Sequence, residues 1–306
     1  PRLDELQKEI PNLKFLGGAV FPVIVAEVSE VMISPGLSPE YSVFAPAVKE
    51  AKHRGIAVVG EIELFARELK KLKAETGYAP KIIGITGTNG KTTTTMLSTA
   101  IIAEAGKSVV AAGNVGPNAL GELEKHRQVG TLPDFWVLEL SSFQLETTES
   151  LHCDSAALLN ITEDHLNRHG TMEVYTAMKM RQFQNMTAED VAVFNADDPA
   201  LAPLIGQVRA QVMLFSRKRE VEQGAFVRDG EIVVRFHGAE ETICPAKDVF
   251  IPGPHNLENA LAACCIAVAM GVQPDVIAHT LRTFQGVEHR IEFVRELDGV
   301  RYINDS

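Results

Sequence analysis

This chain of 306 residues has no apolar stretch long enough to span a bilayer. The longest near-continuous one, residues 260–272, is 13 residues, short of the roughly 20 that a membrane helix needs. Its alanine content reads as a buried helix. No charged-then-apolar signal segment opens the chain. Cysteine is scarce. Cys153, Cys244, Cys264 and Cys265 form no CxxC pair and no zinc spacing. That excludes a disulfide scaffold and fits a reduced, cytoplasmic protein. Basic residues are outnumbered, 29 Lys and Arg against 40 Asp and Glu, for a net charge of −11. A general nucleic-acid binder needs the opposite balance, because it must neutralise phosphates. The one basic run, Arg217-Lys218-Arg219, reads as a solvated loop. What the chain does have is apolar content, 45% of residues, enough for a packed core and against wholesale disorder. At about 100–200 residues per domain, two or three domains are expected.

The rhythm along the chain is α/β. Residues 28–34 and 56–59 read as strands, with a helix from 38 or 39 to 54 between them. Residues 61–73 read as a further helix, acidic at its start and basic at its end, as the helix dipole favours. The polar segment 74–80 reads as a linker, which sets a domain boundary after residue 76. Beyond it, strands are expected at 81–86, 108–112, 135–140, 155–160, 192–195 and 212–215. Helices are expected at 91–105, 172–185, 257–270 and 274–284. Asp229-Gly230 between two apolar runs signals a hairpin, and Asp298-Gly299 a second such turn. The fold class is therefore α/β, a mostly parallel sheet with some antiparallel strands attached. The chain starts at Pro1 and stops at Ser306 straight after a strand-like run, so both ends read as cut.

The strongest local signal is Gly84-Ile85-Thr86-Gly87-Thr88-Asn89-Gly90-Lys91-Thr92-Thr93. An apolar strand feeds a glycine-rich turn, and a helix follows. Glycines let backbone N–H groups close around oxygens, and a helix N-terminus attracts anions. Lys91 is placed to reach the β- and γ-phosphates of a nucleotide, and Thr92 to hold Mg²⁺. The strict GxxxxGK[ST] pattern would want glycine at 85, where Ile85 stands; the strand–loop–helix context carries the assignment instead. Glu139 ends an expected strand. It reads either as a cation ligand beside the loop or as a solvated carboxylate. His165, in Thr162-Glu163-Asp164-His165-Leu166-Asn167-Arg168-His169-Gly170, also follows an apolar strand. Lys179, on its own, reads as an exposed helix lysine. Asn256 and Asn259, three apart at the start of a helix, share a face, and Asn256 is a candidate cap.

Gly87-Thr88-Asn89-Gly90-Lys91-Thr92 resembles the nucleotide loop of the Mur ligases and folylpolyglutamate synthases, ATP-dependent enzymes that form amide bonds. Leu138-Glu139-Leu140-Ser141-Ser142-Phe143-Gln144-Leu145-Glu146, Glu61-Ile62-Glu63-Leu64-Phe65 and Arg301-Tyr302-Ile303-Asn304-Asp305-Ser306 also resemble Mur ligase segments. The resemblance thus covers nearly the whole chain. It implies three parts: a partial Rossmann-like domain for a UDP substrate over residues 1–76, a P-loop-type ATP-binding domain over 77–298, and the start of an amino-acid-binding domain at 299–306. It implies ATP contacts from Gly87, Thr88, Asn89, Gly90, Lys91, Thr92, Thr93, Asn256, Asn259, Arg290 and Asp305. Thr92 and Glu139 would share a first Mg²⁺. His165 and Lys179 would share a second, with Lys179 carbamylated. An ammonium cannot bind Mg²⁺, but CO₂ added to a neutral amine gives an anionic carbamate with two oxygens.

The resemblance also assigns Ser34 and Gly36 to a uracil pocket, and Asn114 and Ser141 to the muramoyl-peptide side. The family's N-terminal glycine-rich loop should precede Pro1. Family members often carry Asp where this chain has Asn167. The activity implied is addition of D-glutamate to UDP-N-acetylmuramoyl-L-alanine through an acyl phosphate, with Lys91, Glu139, His165 and Lys179 in catalysis. The expected partners are those small molecules, with no nucleic acid and no membrane, and the expected state is a cytoplasmic monomer. The fragment alone is expected to bind nucleotide weakly and to be nearly inactive. The rivals are another Mur ligase or a folylpolyglutamate synthase-like ligase, against which Leu140-Ser141-Ser142-Phe143-Gln144 argues, and a non-catalytic nucleotide-binding regulator.

Overall fold

A computed structural model describes residues 2–14, 25, 27–287, 292–297 and 300–304. The chain divides into two compact units, Pro1–Gly60 and Glu61–Ser306. In the first, α1 (Arg2–Glu9) precedes a βαβ unit: β1 (Glu30–Met32), α2 (Ala45–His53) and β2 (Ala57–Val59). The two strands are parallel, with Val31 opposite Val58. Val25, Ala47 and Ala51 form its small core, with Val31, Ile56 and Val58 packed against it. α2 starts later than expected. Ser38 Oγ accepts from the N–H groups of Glu40 and Tyr41, which bends residues 38–41 into a turn instead.

The second unit begins with α3 (Glu61–Thr76). Its Ile62, Phe65, Ala66 and Leu72 are buried in that unit's core, and the Phe65 ring meets Trp136 edge-on at 5.0 Å. This apolar stripe draws the helix into the second unit, so the break in packing falls after Gly60, ahead of the polar segment 74–80. Next come β3 (Lys81–Thr86), α4 (Lys91–Glu104), β4 (Val109–Gly113), α5 (Ala119–Val129), β5 (Phe135–Glu139) and α6 (Ser142–Leu145). β6 (Ser155–Leu158), α7 (Leu166–His169), α8 (Met172–Met180), β7 (Val191–Asn195), α9 (Ala202–Ile205) and β8 (Gln211–Ser216) follow. The unit continues with β9 (Gly224–Arg228), β10 (Glu231–Phe236), β11 (Ala239–Pro245), α10 (Pro254–Ala269) and α11 (Pro274–Thr283). A separate antiparallel pair, β12 (Glu292–Leu297) and β13 (Val300–Asn304), comes last. The Asp298-Gly299 turn lies outside the described residues.

The strands β3 to β11 form one sheet in the order β11-β10-β9-β8-β7-β6-β3-β5-β4. Pairing is parallel from β4 across to β9, then antiparallel through β10 and β11. Asp229 and Gly230 join β9 to β10 with φ of 52° and 82°, the two positive values that a type I′ hairpin requires. α4, α10 and α11 cover one face of the sheet, and α3, α5, α6 and α8 the other. From β3 the chain crosses to β4 at one edge, returns to β5, and then passes over β3 to β6. The end of β3 therefore lies at a topological switch point, where open α/β sheets form their ligand crevice.

Glu63, on the buried side of α3, is 2% exposed. Its carboxylate accepts from the N–H groups of Glu149 and Ser150, from the Ser150 hydroxyl and from Arg67. Burial opposes the charge, but the two backbone N–H groups, Arg67 and Ser150 outweigh it and hold the carboxyl below its ordinary value. Glu63→Ala strands two N–H groups, so a loss of about 3 kcal/mol is expected in urea unfolding at pH 7. Because the folded value is depressed, this contribution is complete above the ordinary carboxylate pKa. It fades as pH falls through the folded value. A difference between wild type and variant that grows toward acid would contradict that assignment.

Candidate functional site

Thr86, the last residue of β3, donates its hydroxyl to Leu140 O at 2.6 Å, tying the ends of β3 and β5 together. The loop then turns into α4 at Gly90, whose φ is 82°. A Cβ there would run into the Asn259 carboxamide, so only glycine fits. The end of β6 grips the loop from its other side. Thr88 N donates to Asn160 O at 3.0 Å, and Asn89 N to Asn160 Oδ1 at 2.8 Å. The Thr88 hydroxyl meets Thr162 O at 3.2 Å and the Tyr175 hydroxyl at 3.1 Å. These contacts settle the loop before any anion arrives.

Two lysines converge on it. Lys91 Nζ donates to Gly87 O at 3.0 Å and Thr88 O at 2.9 Å. Lys179 is 2% exposed and donates to the same Gly87 O at 2.8 Å, with its Nζ 4.6 Å from the Tyr175 ring centre. Burial, reinforced by the Lys91 charge, pushes the Lys179 amine down to about 7. Sequence alone gave an exposed lysine here; the structure places it inside.

Glu139, the last residue of β5, is buried. Thr92 donates to its Oε2 at 2.8 Å, and Asn114 Nδ2 to its Oε1 at 2.8 Å. Asn114 N also donates to Glu139 O at 2.8 Å. Gly113 allows this approach: its φ is 111°, and a Cβ would strike the Glu139 carbonyl oxygen. The strand-end carboxylate therefore belongs to a built cluster. Asn114, read from sequence as a substrate residue, holds that carboxylate in this structure. Ser141 caps α6, accepting from Gln144 N at 3.2 Å in a reciprocal capping box.

His165 opens α7 with φ 53°. Its ring lies 4.8 Å from Phe143 and 6.3 Å from Tyr175, and its Nε2 is 3.3 Å from Asp164 Oδ2. Tyr175 thus stands beside both His165 and Lys179. Among the described residues, no three His, Cys, Asp or Glu side chains gather into a metal cage.

Asn256 and Asn259 lie in the first turns of α10, with Asn259 Nδ2 donating to Asn256 Oδ1 at 3.3 Å and Thr94 Oγ1 to Asn259 Oδ1 at 3.3 Å. Gly253, not Asn256, occupies the cap of α10; the Asn256 carboxamide bonds Pro252 O at 2.8 Å. With Asn89, Gly90, Thr93 and Asn160 they border a cleft of about 620 Å³, large enough for a nucleotide. Ser34 and Gly36 lie in the first unit, just after β1. Arg290 and Asp305 lie outside the described residues. Sequence reasoning missed Tyr175 as a loop contact; its only signal was its place one helical turn before Lys179.

The chain matches the Mur ligase middle domain over residues 85–267. It is 44% identical over 295 residues to the UDP-N-acetylmuramoylalanine–D-glutamate ligase of Pelotomaculum thermopropionicum, covering 95% of this chain and 60% of that protein. The same-named protein of Ralstonia nicotianae is 39% identical over 332 residues, with 99% and 66% covered. The chain therefore spans less than two thirds of the length of these relatives. Among solved structures, a UDP-N-acetylmuramoyl-L-alanyl-D-glutamate–2,6-diaminopimelate ligase superposes with a TM-score of 0.62 at 21% identity, over 95% of this chain and 69% of that one. MurF from Acinetobacter baumannii gives 0.61 at 19% identity, over 92% and 66%. These superpositions show a shared fold, and the sequence matches show the kinship. By its glycine-rich loop, its sheet and these relatives, the chain belongs to the Mur ligase family.

Proposed function

We propose that this chain is part of an ATP-dependent ligase that joins D-glutamate to UDP-N-acetylmuramoyl-L-alanine in peptidoglycan precursor synthesis. The observation that carries this is the convergence of Lys91, Lys179 and the Thr92–Glu139 pair on one glycine-rich loop. The relatives that are named as D-glutamate ligases supply the substrates. A carboxylate is a poor acylating agent. Its oxygen attacks the γ-phosphorus of ATP, the bond to ADP breaks, and an acyl phosphate forms. The amine of D-glutamate then attacks the acyl carbon, phosphate leaves, and the nitrogen loses a proton.

The chain's own groups serve the first step. Backbone N–H groups at the head of α4 receive phosphate oxygens. Lys91 neutralises the β- and γ-oxygens, so that the anionic carboxylate can approach in line. The Thr92 hydroxyl and Glu139 carboxylate, 2.8 Å apart at a strand end, are the oxygen donors Mg²⁺ prefers, and they fit one such ion. Bound there, Mg²⁺ would offset phosphate charge. The buried Lys179 amine, with its lowered pKa, has the neutral form whose lone pair attacks CO₂, the nitrogen then losing a proton; as a carbamate it would join His165 at a second ion. An intact mass lacking the added ~44 Da of CO₂ under bicarbonate counts against this. Among the described residues no helix is long and apolar enough to cross a membrane. We place the enzyme in the cytoplasm as a monomer.

The deciding experiment is phosphate release by the complete polypeptide with ATP and UDP-N-acetylmuramoyl-L-alanine. Release is expected with D-glutamate and not with L-alanine or meso-diaminopimelate. Release driven by either of those instead would move the chain to another branch of the family. Residues 1–306 alone are expected to show almost no turnover, because they span less than two thirds of the relatives' length. Robust ligation by that piece would defeat the assignment of the amino-acid pocket to a further domain.

A further inference from the structure

His169 is 7% exposed and plays no part in the chemistry above. Its Nε2 lies 3.0 Å from the hydroxyl of Ser142, the first residue of α6. Its ring meets two others at a tilt, Phe143 at 5.6 Å and 36° and Tyr175 at 5.5 Å and 39°. Phe143 in turn faces His165. Arg168 stacks 4.5 Å over Phe143 and pairs with Glu146 at 2.7 Å. Tyr175 carries the contact onward to the Thr88 hydroxyl and under Lys179 Nζ. Burial, followed by the charges of Arg168, His165 and Lys179, pushes His169 down to about 4, so the imidazole is neutral.

A phenyl ring would fill the same slot and keep both tilted ring contacts. The nitrogen adds something the ring contacts do not: a bond to α6, which begins directly beyond the Glu139 strand. The ring also touches Tyr175 of α8, the helix that carries Lys179. We infer that His169 is a positioning residue, which through Ser142 and Tyr175 locks the segment behind Glu139 to the helix that bears Lys179. It acts through other residues, and its role in turnover rests on the ligase function proposed above.

The test uses the complete polypeptide. His169→Phe keeps the ring contacts and removes the nitrogen; Ser142→Ala removes the hydroxyl and keeps the ring. Each is expected to lower kcat about tenfold or more, with KM for ATP within about twofold, since Lys91 and the loop N–H groups are untouched. The melting temperature is expected to stay close to that of wild type. The double variant is expected to be no slower than the slower single, because both remove one shared bond. Unchanged kcat per folded molecule, or single effects that multiply in the double variant, would overturn the inference. Hydrogen exchange gives a readout without turnover: protection is expected to fall together in α6 and α8 in both variants. Loosening of only one helix would break the proposed coupling. A wild type that fails to turn over with D-glutamate defeats the ligase assignment, while the exchange result still decides the coupling.

Discussion

Lys91→Ala in the complete polypeptide is expected to reduce ligase turnover by about three orders of magnitude without unfolding the protein. The half-buried Lys91 ammonium bonds Gly87 O and Thr88 O within the loop, and Gly87 O keeps a second donor in Lys179. What would disappear is the positive charge proposed above to meet the β- and γ-oxygens as the carboxylate attacks. The loss reaches further, because the Lys91 charge is the second cause, after burial, of the low Lys179 pKa. Without it, less of the Lys179 amine is neutral and available to CO₂. Lys91→Arg is expected to rescue poorly, because a planar fork does not replace a compact ammonium inside a closed loop. Phosphate release and thermal melting measured together decide the matter. A variant that melts like wild type and keeps a tenth of its turnover removes Lys91 from the transition state.

The strand–loop–helix geometry of the glycine-rich loop was legible in sequence because all of its information is local. An apolar strand, two glycines and a helix start occur within one short segment, and β3 and the start of α4 fall where they were expected. The β9–β10 hairpin was legible for the same reason, through Asp229-Gly230. The order of the strands was not, since no short-range pattern tells β5 to insert between β3 and β4. That order brings Gly113 and Asn114 against Glu139, so the grip of Asn114 on the carboxylate could not be read in advance. α5 was missed although Asn118 caps it and Gly130 ends it; its mixed polar face gave only a weak period. The place of α3 in the second unit was hidden too. A linker-like composition marks where a chain is polar, whereas a unit boundary follows where apolar side chains find partners. Lys179 shows the limit most plainly: one lysine code fits an exposed helix face or a buried amine, and only the sheet and Tyr175 around it decide.

Lys179→Met is expected to abolish turnover and yet to stabilise the protein, on the order of 3 kcal/mol at pH 7. The amine is 2% exposed, and its burial, with Lys91 beside it, brings its pKa to about 7 from an ordinary 10.5. Below about 7 it is charged in both folded and unfolded chains, and folding bears the whole cost of burying that charge. From 7 to 10.5 only the unfolded chain holds the proton, so the cost shrinks as pH rises, and above 10.5 it is gone. Methionine has a similar reach, carries no charge, and packs well against the Tyr175 ring. Gly87 O would still accept from Lys91. Urea unfolding of wild type and variant from pH 6 to 10.5 should therefore give two stability curves that converge toward the alkaline end. If the methionine protein is instead weaker at pH 7, the bonds of Lys179 to Gly87 and its seat over Tyr175 outweigh its burial. Lys179 would then be a strut that holds the loop, and a strut has no need of the neutral amine on which carbamylation depends.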